Sequence, residues 1–426
     1  MTLDEEKTVN LYAEWKAWTG AEYFATEPYG EGVAIADYTG TTREIVIPAV
    51  IGSLRVVHIA ADAFADADAD AIVFPLSLKS VADNAFRRCS AQSVCIFDDI
   101  ESIGEGAFAD CGRLETLLIN AAEPPRYTSY WTGCWADKYD RILLADPDEK
   151  QMVFFSGSSM SNGLNSAMVD ESFGYEYKVT NLGLSYLIDP TLQFEILLQT
   201  MHEGDILIHA PEDLSDVESL CDFNSLTWRV LEFNYDLLRY ADIGEHNDVF
   251  DTFTEYNEQR QDLPANSYDE GAEEYNEYGD LAVFRPNTDD TDKGYDTFYD
   301  GEMLRPEILQ ELDGHYVELL EKGIVVYFSY GPANLDGEKM PPIYERYRYA
   351  GRIEAYIVSV PIISSMEAYL YDGRYFSNTN FHLSTEGANM RTEQLIADIR
   401  QQMIKDGLLT EADAPSGHRG HRSGPR

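Results

Sequence analysis

Ser102-Ile103-Gly104-Glu105-Gly106-Ala107-Phe108-Ala109-Asp110-Cys111 is the stretch on which the reading of this chain turns. Its Gly-Ala-Phe centre recurs upstream as Asn84-Ala85-Phe86 and Asp62-Ala63-Phe64, so the three phenylalanines stand 22 residues apart. Short apolar runs recur with them: Ile45-Val46-Ile47-Pro48, Ile72-Val73-Phe74-Pro75 and Val94-Cys95-Ile96-Phe97. A unit of this size cannot bury its own apolar side, so the units must stack into a solenoid with the phenylalanines as an internal ladder. Cys89 and Cys111 each follow a ladder phenylalanine by three residues, which puts them on adjacent coils, either as small buried side chains or as a disulfide.

The repeat resembles the leucine-rich repeats of the bacterial surface-antigen (BspA-like) type, over about residues 40–125. Ahead of it, Val9-Asn10-Leu11-Tyr12-Ala13-Glu14-Trp15-Lys16-Ala17 is similar to the last strand of an internalin-type B-repeat, the alternative being an ordinary edge strand. Together these resemblances imply a bacterial cell-surface or secreted protein whose signal and anchor lie outside the chain.

Composition sets the outer limits. The 426 residues carry 31 Lys+Arg against 76 Asp+Glu, a formal charge of −45, with 44% apolar residues. This is too long for one ordinary domain and too apolar for a disordered acidic chain. So negative a surface repels phosphate backbones, which excludes general nucleic-acid binding. No apolar run approaches the roughly 20 residues that span a bilayer, and the acidic start Asp4-Glu5-Glu6 is unlike a signal peptide. The five cysteines form no CxxC pair and no Cys/His cluster, so no structural zinc site is expected.

Past Ala121-Ala122-Glu123-Pro124-Pro125 an aromatic connector (Tyr127, Tyr130, Trp131, Trp135, Tyr139) leads into longer elements. Strands are predicted at 152–155, 177–180, 205–208, 324–328 and 356–358, with amphipathic helices over 190–203, 303–322 and 386–407 between them. Such alternation indicates a mostly parallel sheet covered on both faces, with its chemistry at the carboxyl ends of the strands. Residues 243–302 break the pattern, containing Asn247-Asp248, Asp269-Glu270, Glu273-Glu274 and Asp289-Asp290 among tyrosines. They read as a solvated face or as an insertion that lids the site and holds calcium through its carboxylates. The basic, Gly-rich tail from Ala414 is predicted to be disordered. The predicted division is therefore 1–30 (end of a β module), 31–145 (solenoid and connector), 146–410 (α/β domain) and 411–426 (tail).

Chemistry points to Ser156-Gly157-Ser158-Ser159, a small-residue turn directly after an apolar strand. Such a turn lifts a hydroxyl to the edge of the sheet while backbone N–H groups point at what it attacks. There is no Walker-type lysine, which argues against a nucleotide. A serine nucleophile needs a base. Of the eight histidines, His209 ends a strand and His382 stands in a loop just before the last helix, with Ser384 as that helix's N-cap and Gly387 in its first turn.

The Ser turn, Asn181-Leu182-Gly183 after the second strand and the loop His382-Leu383-Ser384-Thr385-Glu386-Gly387 together resemble an SGNH-type hydrolase over about residues 150–408. The resemblance implies a flavodoxin-like α/β/α sandwich with Ser158 as nucleophile, His382 as general base, and an oxyanion hole from the N–H groups of Ser158 and Gly183. It also implies two departures. Where the family places the acid that orients the histidine, this chain has Asn378 and Thr379, so Asp372 would have to substitute or a Ser–His dyad would operate. Where the family's third block offers the Asn of its oxyanion hole, this chain has Ala210-Pro211-Glu212-Asp213. His209 and Glu212 are then structural groups, substrate contacts or helpers of the base.

The expectation is a multi-domain protein, a short leucine-rich-repeat solenoid followed by an α/β/α sandwich. It would act as a cofactor-free serine esterase or acyltransferase on an acylated glycan or cell-wall polymer, with a host surface protein as a further partner through the solenoid. The competing expectation is a non-catalytic binding or adhesion protein with a degenerate hydrolase domain.

Overall fold

The computed structural model describes residues 18–122, 125–126, 130–146, 148–185, 187–212, 214–215, 217–246, 249–263, 275–289 and 299–410. The B-repeat-like segment 9–17, the basic tail and the dipeptides 247–248, 269–270 and 273–274 lie outside these residues. In chain order the strands are β1 (Phe24–Tyr29), β2 (Gly32–Tyr38), β3 (Glu44–Val46), β4 (Val50–Ile51), β5 (Leu54–Ile59), β6 (Ala71–Val73), β7 (Ser80–Val81), β8 (Ser93–Phe97), β9 (Ser102–Ile103), β10 (Thr116–Asn120), β11 (Gln151–Phe155), β12 (Lys178–Asn181), β13 (Ile206–His209), β14 (Val325–Phe328), β15 (Ala333–Asn334) and β16 (Leu370–Tyr371). The helices are α1 (Tyr130–Leu143), α2 (Ser158–Gly163), α3 (Ser166–Ser172), α4 (Pro190–Thr200), α5 (Ser225–Leu231), α6 (Val249–Gln261), α7 (Pro306–Glu321), α8 (Ile343–Tyr356) and α9 (Thr385–Lys405). They fall into two compact units: Met1–Thr128 with Cys221–Tyr268, and Ser129–Leu220 with Asp269–Arg426.

The first unit is the solenoid. One sheet runs β10-β8-β6-β3, all parallel, and the other runs β1-β2-β5-β7-β9. The predicted ladder is present: Phe64 stacks on Phe86 with centroids 4.8 Å apart and Phe86 on Phe108 at 4.9 Å. Asp62, Asn84 and Gly106 share one turn position at φ 56°, 57° and 59°, a left-handed conformation that Asp, Asn and Gly tolerate best. The five cysteines are free thiols, and Cys111 Sγ donates to Phe86 O at 3.1 Å, so the small-side-chain reading holds over the disulfide.

Residues 221–263 belong to this unit, which removes 243–263 from the alternative of a lid over residues 243–302, whereas 275–289 belong to the second unit. Phe250 of α6 stacks on Phe108 at 4.2 Å and continues the ladder past its last coil. Thr254 Oγ1 accepts from Ile103 N and donates to Ile103 O, both at 2.9 Å, pairing the exposed edge of β9. Beneath it Arg260 Nη2 meets the fully buried Asp98 at 3.0 Å and its Nε donates to Glu232. The physical reason is general: a solenoid's last coil leaves apolar side chains and strand edges open, and a helix with apolar and hydroxyl residues covers both.

The second unit is built on the parallel sheet β12-β11-β13-β14. β11 and β13 are buried at every position, as strands covered on both faces must be. The predicted helices appear as α4, α7 and α9, and Asp189 and Ser384 cap α4 and α9 by accepting from Leu192 N and Gly387 N. The strand predicted at 356–358 does not form. Tyr356 is the last residue of α8, whose buried Arg346, Tyr349 and Ile353 recur at helical spacing, and the chain meets β14 only through a single bridge from Phe328 to Ile362.

Candidate functional site

The Ser158 turn and the His382 loop meet. Ser158 opens α2 directly after β11, at the carboxyl end of the sheet, and its Oγ lies 2.7 Å from His382 Nε2. His382 is held by a narrow loop: Ser377 N donates to His382 O at 2.8 Å, Phe376 bridges Leu383, and Thr379 Oγ1 accepts from His382 N at 2.9 Å. Arg285 ties loop to turn, its Nε donating to Leu383 O at 2.9 Å and its Nη2 to Asn162 O at 2.8 Å. Burial, with help from the Arg285 charge, pushes the His382 imidazole down to about 4, which keeps it neutral and able to accept a proton.

His382 Nδ1 faces Asn378 Oδ1 at 3.1 Å. Asn378 thus stands where a triad carboxylate would, orienting the ring without charge. Asp372, expected as the substitute acid, is corrected: it is exposed, and its ion-pair partner is Arg374 at 3.8 Å. It precedes the short turn Gly373–Tyr375 and makes no side-chain hydrogen bond to it.

The expected oxyanion donor Gly183 is corrected too. Its N–H donates to Asn181 Oδ1 at 2.9 Å, while Asn181 Nδ2 donates to Asp280 Oδ1 at 2.8 Å and Met160 O at 3.1 Å. Asn181 is therefore a buried brace between β12 and α2. Gly183 fits only because it lacks a side chain: a Cβ there would sit 2.4 Å from Ser161 N. Lys138 of α1, wholly buried, donates to Gly183 O, and burial lowers its pKa.

Glu212, at the end of β13, reaches the nucleophile. Its Oε1 lies 3.2 Å from Ser158 Oγ and accepts from Ser159 N. Burial raises its carboxyl above the ordinary range, against the pull of the Ser159 N–H and the Arg391 charge. Arg391 of α9 is fully buried and donates to Ser159 O at 3.0 Å, so the Ser159 residue is gripped by Glu212 at its N–H and by Arg391 at its carbonyl. His209 lies deeper, its Nδ1 2.6 Å from Tyr316 OH and its ring stacked on Phe155 at 4.7 Å. It has no contact with Ser158 and acts as a core group.

Arg391, Arg285, Lys138 and Asp280 were not singled out from sequence. Arg391 did carry a signal, because it interrupts the otherwise small and apolar buried stripe Gly387, Ala388, Thr392 and Leu395 of α9. Asp280 and Arg285 lie outside any helix or strand, and Lys138 lies in α1, a segment read from sequence only as an aromatic connector. Among the described residues no cluster of His, Cys, Asp or Glu is placed to hold a metal ion, and no helix is long and apolar enough to cross a membrane.

The chain thus holds a leucine-rich-repeat unit and a parallel α/β unit, and the comparisons with known proteins bear on the first. Residues 44–130 match the BspA type leucine rich repeat region, in six copies. A leucine-rich repeat protein of T. pallidum is similar at 20% identity, covering 24% of this chain and 71% of that one, with a TM-score of 0.18. A leucine-rich cell surface protein of Faecalibacterium prausnitzii A2-165 is similar at 16% identity, covering 46% of this chain and 45% of that one, with a TM-score of 0.21. No curated protein matches the chain. These likenesses concern leucine-rich repeats and lend no support to the SGNH-type resemblance.

Proposed function

We propose that this chain is a bacterial surface leucine-rich-repeat protein that binds a target through its repeat unit, and that its α/β unit is a serine esterase or acyltransferase of SGNH type. The binding part is supported by the BspA-type repeats and by the likeness to a cell surface protein. A solenoid offers a long surface suited to a host protein or a glycan.

The catalytic part is carried by one observation, the 2.7 Å contact between Ser158 Oγ and a neutral His382 Nε2. The strand order β12-β11-β13-β14, in chain order 2-1-3-4 within the unit, agrees with a flavodoxin-like sheet. In this reading Ser158 Oγ attacks the ester carbonyl carbon as its proton passes to His382 Nε2. The tetrahedral intermediate expels the alcohol, which takes that proton, and water or an acceptor hydroxyl then resolves the acyl-Ser158. The substrate class is an acylated carbohydrate or cell-wall polymer, and no cofactor takes part.

A fluorophosphonate probe mapped by mass spectrometry tests it. Labelling at Ser158 that is lost in Ser158→Ala and His382→Ala, but kept in Ser159→Ala, is expected. A folded protein that is not labelled, yet binds glycans or host protein through residues 44–130, would leave the binding function alone.

A further inference from the structure

Of the oxyanion donors that the hydrolase resemblance implies, Gly183 N–H is spent on Asn181, and the side-chain amide of the third block is missing from the chain. Ser158 N–H alone remains, with no hydrogen bond to the described residues. At the place of the missing amide β13 delivers Glu212. We propose that Glu212 is a neutral carboxylic acid that donates its O–H into the reaction centre in place of that amide. The inference rests on the serine-hydrolase reading above.

Hydrogen counting carries the argument. Asn378 Oδ1 accepts from Ser377 Oγ at 3.1 Å and faces His382 Nδ1 at the same distance, so Nδ1 bears the imidazole hydrogen and Nε2 is an acceptor. The single hydrogen of Ser158 Oγ therefore goes to His382 Nε2, the shorter of its two contacts at 2.7 Å against 3.2 Å. An ionised Glu212 would then face Ser158 Oγ with lone pairs on both sides. It would also repel the negative charge that develops on the substrate oxygen. A carboxyl O–H on Oε1 turns the same contact into a hydrogen bond, and Oε1 keeps a lone pair with which to accept Ser159 N–H.

The surroundings favour the neutral form. Glu212 is 8% exposed. Its carboxyl faces Ser158 Oγ, across which stands His382, neutral above about 4; His209, held neutral by burial, lines the same cavity; and Arg391 of α9 is the cation that acts on it. From the loop after β14 it meets Gly331, which carries no charge. Burial outweighs Arg391 and the Ser159 N–H, and the carboxyl titrates above its ordinary range. As the tetrahedral intermediate forms, the carbonyl π pair moves to oxygen, the Ser158 proton stays on His382, and Glu212 keeps its proton while hydrogen-bonding the oxyanion. An acid buried in an apolar site and held neutral for this purpose is a known physical solution.

The test pairs an infrared titration with pH–rate profiles of the full chain on p-nitrophenyl acetate. The wild type is expected to show a protonated-carboxyl C=O band above the His382 value of about 4, absent in Glu212→Gln. Its rate should fall on the alkaline side as that band titrates. Glu212→Ala is expected to lose roughly 10²–10³-fold in kcat/KM, the usual effect of one oxyanion donor, and Glu212→Gln less than about 10-fold, with the alkaline limb gone. An active enzyme without the band, or one whose rate rises as Glu212 ionises, overturns the donor role alone. A band present in protein that neither turns over ester nor takes the fluorophosphonate overturns the hydrolase reading, and the donor role with it.

Discussion

Restoring a carboxylate at Asn378 is the most informative perturbation of this site. Asn378 Oδ1 already sits 3.1 Å from His382 Nδ1, so Asn378→Asp changes charge and leaves geometry nearly alone. At a charge separation of about 4 Å and an effective dielectric of about 20, the carboxylate and the imidazolium attract by about 4 kcal/mol. Asn378 is exposed, and a hydrogen bond to a charged partner adds only about 1–2 kcal/mol over a neutral one, so about 1.5–2.5 kcal/mol is expected here. That corresponds to a rate gain of roughly 12- to 70-fold. The same energy should raise the His382 pKa from about 4 by roughly 1–2 units, since the charged form gains a partner. Fluorophosphonate inactivation rates and p-nitrophenyl acetate turnover read the first quantity, and NMR titration of the imidazole reads the second. If Asn378→Asp raised the His382 pKa but left the acylation rate unchanged, His382 would not be taking the Ser158 proton in the rate-limiting step. If it moved neither, the contact at Asn378 would not exist in solution.

Two stability predictions concern buried ionisable groups. Arg260→Ala removes the guanidinium from the buried carboxylates of Asp98 and Glu232 and should lower the unfolding free energy by about 3–5 kcal/mol in urea melts; a loss under about 1 kcal/mol would mean that α6 does not seal the solenoid. His209 is pushed down by burial from 6.5 to about 3, so the unfolded chain binds this proton first. Stability is then fully present above pH 6.5 and is lost progressively towards about 3, with His382 adding to the slope down to about 4. Thermal melts of His209→Gln across that range should show a shallower acid slope than wild type, and an unchanged slope would place His209 in contact with water.

The repeats were legible because their signal is local and repeated. Each Ala-Phe turn demands the same left-handed residue before it and the same buried ring, so Asp62, Asn84 and Gly106 report one conformation three times. The parallel sheet was legible for a similar reason, since β11 and β13 are short, largely apolar runs buried at every position. The segment 356–358 misled because three apolar residues do not distinguish a strand from a helix end, and the pattern that decides, Arg346-Tyr349-Ile353, lies upstream and contains an arginine.

Sequence by itself determined the solenoid and the strands and long helices of the parallel sheet, and it singled out a Ser turn and a distant His loop as candidates for one site. These follow from periodicity and from small residues at strand ends. Only the tertiary structure decided what each site group faces. It turned Gly183 N–H onto Asn181, gave His382 a neutral partner in Asn378 while Asp372 went to Arg374, and set Glu212 against Ser158 across 54 residues of chain. It also folded residues 221–263 back onto the ladder as its cap, through Phe250, Thr254 and Arg260. The physical reason is the same in each case: a hydrogen bond or a stacked ring is fixed by ångström-scale approach between distant segments, and no local pattern encodes which segments meet.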